Sequence, residues 1–302
     1  MWYNWFVTIL RSIIMKINYI AKIGGGQDGA IYGKYLFRFQ HNGNARVYDL
    51  GTLDKENGIL ECVGDFVLDR AADICPHSNS VSFGNEFYEE GDEFPLLYSN
   101  IYNNYAKSDN SLKGVCCVYR IFRDGDGFSS KLVQLIEVGF VNDATLWKMS
   151  EDEESKRPYG NFAVDAERSL YYGFVMREAA EGTRYFAFRL PKGRDGELDS
   201  TFGVRRVTLF EKDIIEYFDV EHHKFVQGAC IHGTKVYSLE GFTDSKENPP
   251  AIRIVDTVLK KQEVYINLVE LGYTVEPELV DFYNGACYYA DVRGNLYTVD
   301  FE

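Results

Sequence analysis

Three observations predict an all-β protein assembled from repeated antiparallel units. Tyr and Phe number 22 and 21 among 302 residues, and such rings pack on pleated surfaces better than on helix surfaces. Short runs alternate apolar and polar residues with period two and end at Gly or another turn former, the pattern of β-hairpins. One such hairpin pattern recurs along the whole chain, so self-similarity governs the reading of the fold.

The hairpin is read five times. The copies are "QDGAIYGKYLFRF" (27 to 39), "HSNSVSFGNEFYEEGDEFPLLY" (77 to 98), "NFAVDAERSLYYGF" (161 to 174), "QGACIHGTKVYS" (227 to 238) and "ELVDFYNGACYY" (278 to 289). Each begins polar, alternates small and apolar residues for about six positions, turns, and continues into an aromatic-rich strand. In the second copy "GNEFYEEGDE" enlarges the turn.

A third strand is predicted after each hairpin, at 45 to 50, 117 to 122, 185 to 190, 252 to 257 and 296 to 301. A fourth is predicted in the first four units, at 58 to 63, 131 to 140, 203 to 210 and 262 to 269. The fifth unit reaches Glu302 without one, while "MKINYIAKI" (15 to 23) stands unassigned ahead of the first hairpin. The opposite end of the chain can therefore supply the missing strand.

Four-stranded units in series, the last completed by the other terminus, resemble the β-propeller superfamily, in which radial closure protects most strand edges. The resemblance lies in the repeat pattern across residues 15 to 302, and no WD or kelch signature assigns a family within it. Five blades of four strands are expected in a single domain, with residues 1 to 14 as a non-core extension. Hairpin starts are separated by 50, 84, 66 and 51 residues, and the longest interval leaves room for a sixth blade.

The 32 Lys and Arg against 46 Asp and Glu give a formal charge of −14. Such a surface repels phosphate backbones and anionic lipid, so neither nucleic acid nor membrane is an expected partner. The six cysteines (62, 75, 116, 117, 230 and 287) form no CxxC pair and read as free thiols acting as small hydrophobes. Residues 1 to 14, "MWYNWFVTILRSII", are apolar but short for a membrane span, carry Arg11, and lack the basic start and small-residue cleavage site of a signal peptide. A cytoplasmic monomer is the expectation, a secreted or surface-anchored protein the alternative.

In a propeller the first strand of each blade lines the central channel, so its inward positions can be polar. Gln27, His77, Asn161, Gln227 and Glu278 begin these strands, with Asp28 and Asn79 beside them. They form the expected ligand-binding ring at the channel mouth, the competing reading being a hydrogen-bonded channel filling. Trp147, in the long connection from 141 to 160, could stack on a sugar ring or anchor its loop.

Motifs for other chemistry are weak. "GGG" at 24 to 26 lacks GxGxxG spacing, and no GxSxG, P-loop or HExxH occurs; no cofactor is expected. His222 and His223 would point to opposite faces of a strand, and "DGDG" (124 to 127) lacks a calcium loop's downstream Glu. No metal site is expected, and "DGDG" reads as a hairpin turn. A non-enzymatic binding or interaction propeller with a small polar or carbohydrate ligand is the leading reading. The alternative is a carbohydrate-active hydrolase with paired carboxylates drawn from Asp28, Asp165, Glu278 and Asp281 on the inner strands.

Overall fold

The computed structural model describes residues 15–101, 112, 115–138, 161–176, 182–221 and 225–301. Five sheets, antiparallel but for one strand pair, stand in a ring. Strand β1 (Met15–Lys22) precedes the first blade, which is β2 (Gly29–Tyr32), β3 (Tyr35–Phe39), β4 (Asn44–Asp49) and β5 (Cys62–Val67). The second contains β6 (Val81–Phe83), β7 (Leu97–Ile101), β8 (Val115–Asp124) and β9 (Gly127–Val138). The third begins with β10 (Phe162–Asp165), β11 (Leu170–Met176) and β12 (Thr183–Arg189); the chain then forms β13 (Glu197–Asp199) and β14 (Val204–Leu209) before β15 (Glu216–Val220). The fourth is β16 (Val226–His232), β17 (Lys235–Glu240), β18 (Ala251–Asp256) and β19 (Lys261–Asn267). The fifth is β20 (Pro277–Tyr283), β21 (Ala286–Asp291) and β22 (Asn295–Phe301), with β1 as its outer strand.

The closure expected from the sequence is present. Strand β1 pairs antiparallel with β22 from Met15 opposite Phe301 to Lys22 opposite Asn295, so the two ends of the described chain complete one sheet and bury its edge. The long second interval holds an enlarged blade, and no sixth sheet forms among the described residues. Residues 84 to 96 make the swollen turn between β6 and β7, where Asp92 pairs with Arg120 at 2.6 Å and Glu93 with Arg123 at 2.8 Å. The acidic turn is thus braced by arginines of its own blade. "DGDG" forms the turn between β8 and β9, with Asp124 opposite Gly127.

Two outer strands differ from expectation. In the first blade the fourth strand is Cys62–Val67, a few residues beyond the run read as strand. In the third, residues 203 to 210 do not form the fourth strand; β14 crosses to the second blade and pairs parallel with β9, and β13 pairs with β14, giving that blade six strands. The third blade takes the shorter "EYFDV", β15, as its outer strand. Alternation alone specifies a strand but not its partner, and a parallel pairing leaves no hairpin signal in the sequence.

The core divides into five apolar clusters, one between each pair of neighbouring blades. Between blades one and two, Phe37 meets Phe83, Phe94 and Phe128 edge-on at 5.2 to 5.8 Å between ring centres. The aromatic enrichment therefore fills the wedges between blades, where large flat side chains bury most area per residue.

Candidate functional site

The five inner strands β2, β6, β10, β16 and β20 surround the axis, and their backbones are stitched together by side chains. Asp281 Oδ2 accepts the Ile31 amide at 2.6 Å, Asp28 Oδ2 accepts the Val81 amide at 2.9 Å, and Ser82 Oγ accepts the Val164 amide at 3.5 Å. In each case one blade's side chain satisfies an inner-strand N–H of the next, a donor that would otherwise be buried without a partner.

Asp28, Asn79, Asn161, Gln227 and Glu278 occupy matching places at the start of the five inner strands, and all five are buried. Here the channel is closed by side chains. Asn79, on blade two, donates across the axis to the Val226 carbonyl of blade four at 3.5 Å and accepts from Asn100 Nδ2 at 2.6 Å. The Asp28 carboxyl reaches from blade one to Gly228 of blade four: a Cβ at Gly228 would lie 3.0 Å from Asp28 Oδ1 and 2.2 Å from the Glu278 carbonyl oxygen. Gln27 donates to Glu278 Oε1 at 3.3 Å, and Gln227 donates to the Gly241 carbonyl at 3.1 Å and to Glu276 Oε1 at 2.7 Å.

Several buried atoms of this plug have no hydrogen-bond partner among the described residues: Asp28 Oδ1, Glu278 Oε2, both amide atoms of Asn161 and Ser80 Oγ. Burial pushes the Asp28 and Glu278 carboxyls well above the usual carboxylate range. Gln27 and His77 are half-buried beside the plug; burial, then the nearby His41, lowers the His77 imidazole to about 4 and keeps it neutral. Trp147, His222 and His223 lie outside the described residues.

The open space on the axis is at the other end, on the side of the turns that join first and second strands. A cavity of about 220 Å³ is lined from all five blades: Ile31 and Tyr32, Ser82 to Gly84, Val164 to Glu167, Cys230 to Gly233, and Asp281. Five of its members lie three residues beyond the ring, one on each inner strand: Ile31, Ser82, Val164, Cys230 and Asp281. The signal for this layer was the Asp at 281, where other units carry Ile, Ser, Val or Cys.

The charges around the cavity are unevenly disposed. Burial raises the Asp281 carboxyl to about 7, against the opposing pull of the Ile31 and Phe282 amides. Asp165 is held by the Arg168 guanidinium, whose Nη2 also donates to Thr257 Oγ1 at 3.0 Å. His232, exposed at the rim, stacks flat on Phe282 with ring centres 4.0 Å apart. Burial, then the Asp281 charge, pushes the Cys230 thiol far up, so it is a poor nucleophile. Among the described residues no Lys or Arg lines the cavity.

Among the described residues no group of three or more His, Cys, Asp or Glu is placed to hold a metal ion. No helix among them is long and apolar enough to cross a membrane.

No protein-family model and no curated protein sequence matches the chain. Among solved structures, the chain is similar to the Myxococcus xanthus glutaminyl cyclase at 10% identity and TM-score 0.46, covering 96% of this chain and 95% of that one. It is similar to BamB from Moraxella catarrhalis at 10% identity and TM-score 0.35, covering 92% of this chain and 58% of that one. It is likewise similar to the WD40 β-propeller domain of Doa1 at 12% identity and TM-score 0.40, covering 95% and 97%. The arrangement of the five sheets makes this chain a β-propeller, with no family assigned within the fold.

Proposed function

We propose that the protein is a binding propeller whose ligand is a small polar molecule, of monosaccharide size and hydroxyl-rich, seated in the axial cavity at the turn end of the channel. The observation that carries this reading is the convergence of all five inner strands on one cavity of about 220 Å³. That volume is below the roughly 300–1,000 Å³ of drug-sized sites, which favours a small ligand. Carboxyls without a lining cation among the described residues disfavour an anionic one, whereas Asp281, Ser82 and exposed backbone can bond hydroxyls, and Tyr32, Phe83 and His232 add aromatic side chains to the wall.

The hydrolase alternative draws less support. It needs one carboxyl to give a proton and another to act as base or nucleophile across a single bond. Asp28 and Glu278 are enclosed in the plug, Asp165 is engaged by Arg168, and both Asp281 oxygens already accept backbone amides.

A thermal-shift screen of monosaccharides, polyols and amino acids, repeated with His232→Ala and Glu167→Ala, tests the reading. Both residues are exposed at the rim, so the folded protein is retained. A stabilising compound whose effect is lost in either variant is expected. A screen without hits, or hits that only His77→Ala abolishes at the opposite end, would overturn it.

A further inference from the structure

On the face of blade one turned toward blade five, at the end of the molecule opposite the axial cavity, two arginines stand directly opposite each other. Arg38 on β3 is the register partner of Arg46 on β4. Like charges so placed repel, and neither has an ion pair within 4 Å among the described residues. Arg38 is 1% exposed. Its Nη2 donates to the carbonyls of Gly26 and Asp291 at 2.8 and 2.9 Å, while Nε and Nη1 have no partner.

A buried guanidinium without a contacting counter-charge is costly. Burial disfavours the Arg38 charge, and the Glu278, Asp28 and Asp291 carboxyls support it from beyond contact distance; the Asp291 carboxyl is itself engaged by Asn295 at 2.6 and 2.9 Å. Arg46 has an acid directly opposite, Asp65 on β5, and makes no salt bridge to it. Instead its guanidinium lies over the backbone of Gly24, where a Cβ would fall 2.3 Å from Nη1.

Between these groups lies a second cavity of about 220 Å³, lined by Arg38, Arg46, Gln40, Asn44, Asp65 and the Gly25 backbone among others. Its walls come from blade one and from Gly25, whose backbone lies beside the Val292 carbonyl of blade five.

We propose that this cleft binds a small oxyanion, a phosphate or carboxylate group, held between Arg38 and Arg46 with the Gln40 and Asn44 amides as further donors. Guanidinium groups suit such oxygens geometrically and are weakly hydrated. The net charge of −14 repels anions at long range, so selectivity rests on these local donors. Asp65 is the opposing element in the wall, and its charge weakens binding.

The test is calorimetric titration of the full chain with inorganic phosphate, and separately with acetate, each against chloride at matched ionic strength. Saturable binding of phosphate or acetate is expected, with the better ligand identifying the phosphoryl or carboxylate preference. Arg46→Gln, at an exposed position that leaves the fold intact, should weaken it about tenfold, and Asp65→Asn should tighten it about threefold. Binding no stronger than that of chloride, or binding that neither substitution alters, would overturn the proposal and leave Arg38 as a buried partner of the axial acids.

Discussion

Asp281 on the fifth blade accepts the backbone amide of Ile31 on the first at 2.6 Å, so one carboxyl both joins the blades where the ring closes and faces the axial cavity. Its stability effect depends on pH. The folded pKa, about 7 against an ordinary 3.8, means the folded state holds this proton more tightly than the unfolded chain. The group's contribution is fully present below about pH 4, declines as pH rises to about 7, and is flat above, with a limiting slope of about 1.4 kcal/mol per unit. Urea unfolding of wild type and Asp281→Ala across pH 4.5 to 8, as a round range spanning these values, should show the substitution costing more at the acid end. A cost independent of pH would place the carboxyl's titration elsewhere.

Gly228 makes the crossing of the axis possible. Adding a methyl group there sets it 2.2 Å from the Glu278 carbonyl, a backbone atom with no freedom to retreat. Gly228→Ala should therefore destabilise by at least ~2 kcal/mol, the scale of overpacking in a rigid core. Thermal melting that stays within a degree or two of wild type would contradict the closed plug.

Burial favours the neutral form of the Glu278 carboxyl, against the opposing pull of the Arg38 guanidinium. Glu278→Gln then preserves shape and the hydrogen bond from Gln27 by amide rotation, and should leave the melting temperature near that of wild type. Glu278→Ala removes that partner and should cost about 1 to 3 kcal/mol. Equal losses in the two variants would mean that the ionised form is the one the fold requires.

Removing residues 15 to 26 strips β1 from β22 and uncovers Ile20, Ala21 and Ile23, all buried in the wedge between blades five and one. Burial of each large apolar side chain is worth roughly 1.5–3 kcal/mol, together comparable with the stability of a whole domain. Size-exclusion chromatography should show aggregation of a chain beginning at residue 27. A monomer with a cooperative melt would refute the role of this strand.

Five repeated hairpins, their third strands and the closure by residues 15 to 23 were legible because each is a local pattern: period-two alternation, a turn residue, an aromatic strand. Asn161, Gln227 and Glu278 were legible as members of a polar ring for the same reason; for the first two blades the sequence pointed to Gln27 and His77, with Asp28 and Asn79 beside them, and it is Asp28 and Asn79 that take the matching buried places. The destination of β14 was not, because residues 203 to 210 alternate as an outer strand does and nothing local specifies that they join β9 of another blade.

The sequence by itself therefore determined the repeating unit and the order of its copies, through short-range periodicity that each strand carries alone, while the long second interval left room for a sixth blade that the structure does not form among the described residues. Tertiary structure decided which end of the channel is open. Asn79 bonding across to Val226 and Asp28 nesting against Gly228 depend on the distance between non-adjacent blades, which arises only when the ring closes. Arg38 facing Arg46 is likewise a matter of pairing: the two charges lie eight residues apart in the chain, and the register of one hairpin sets them opposite each other beside a cavity walled by blade one and the Gly25 backbone.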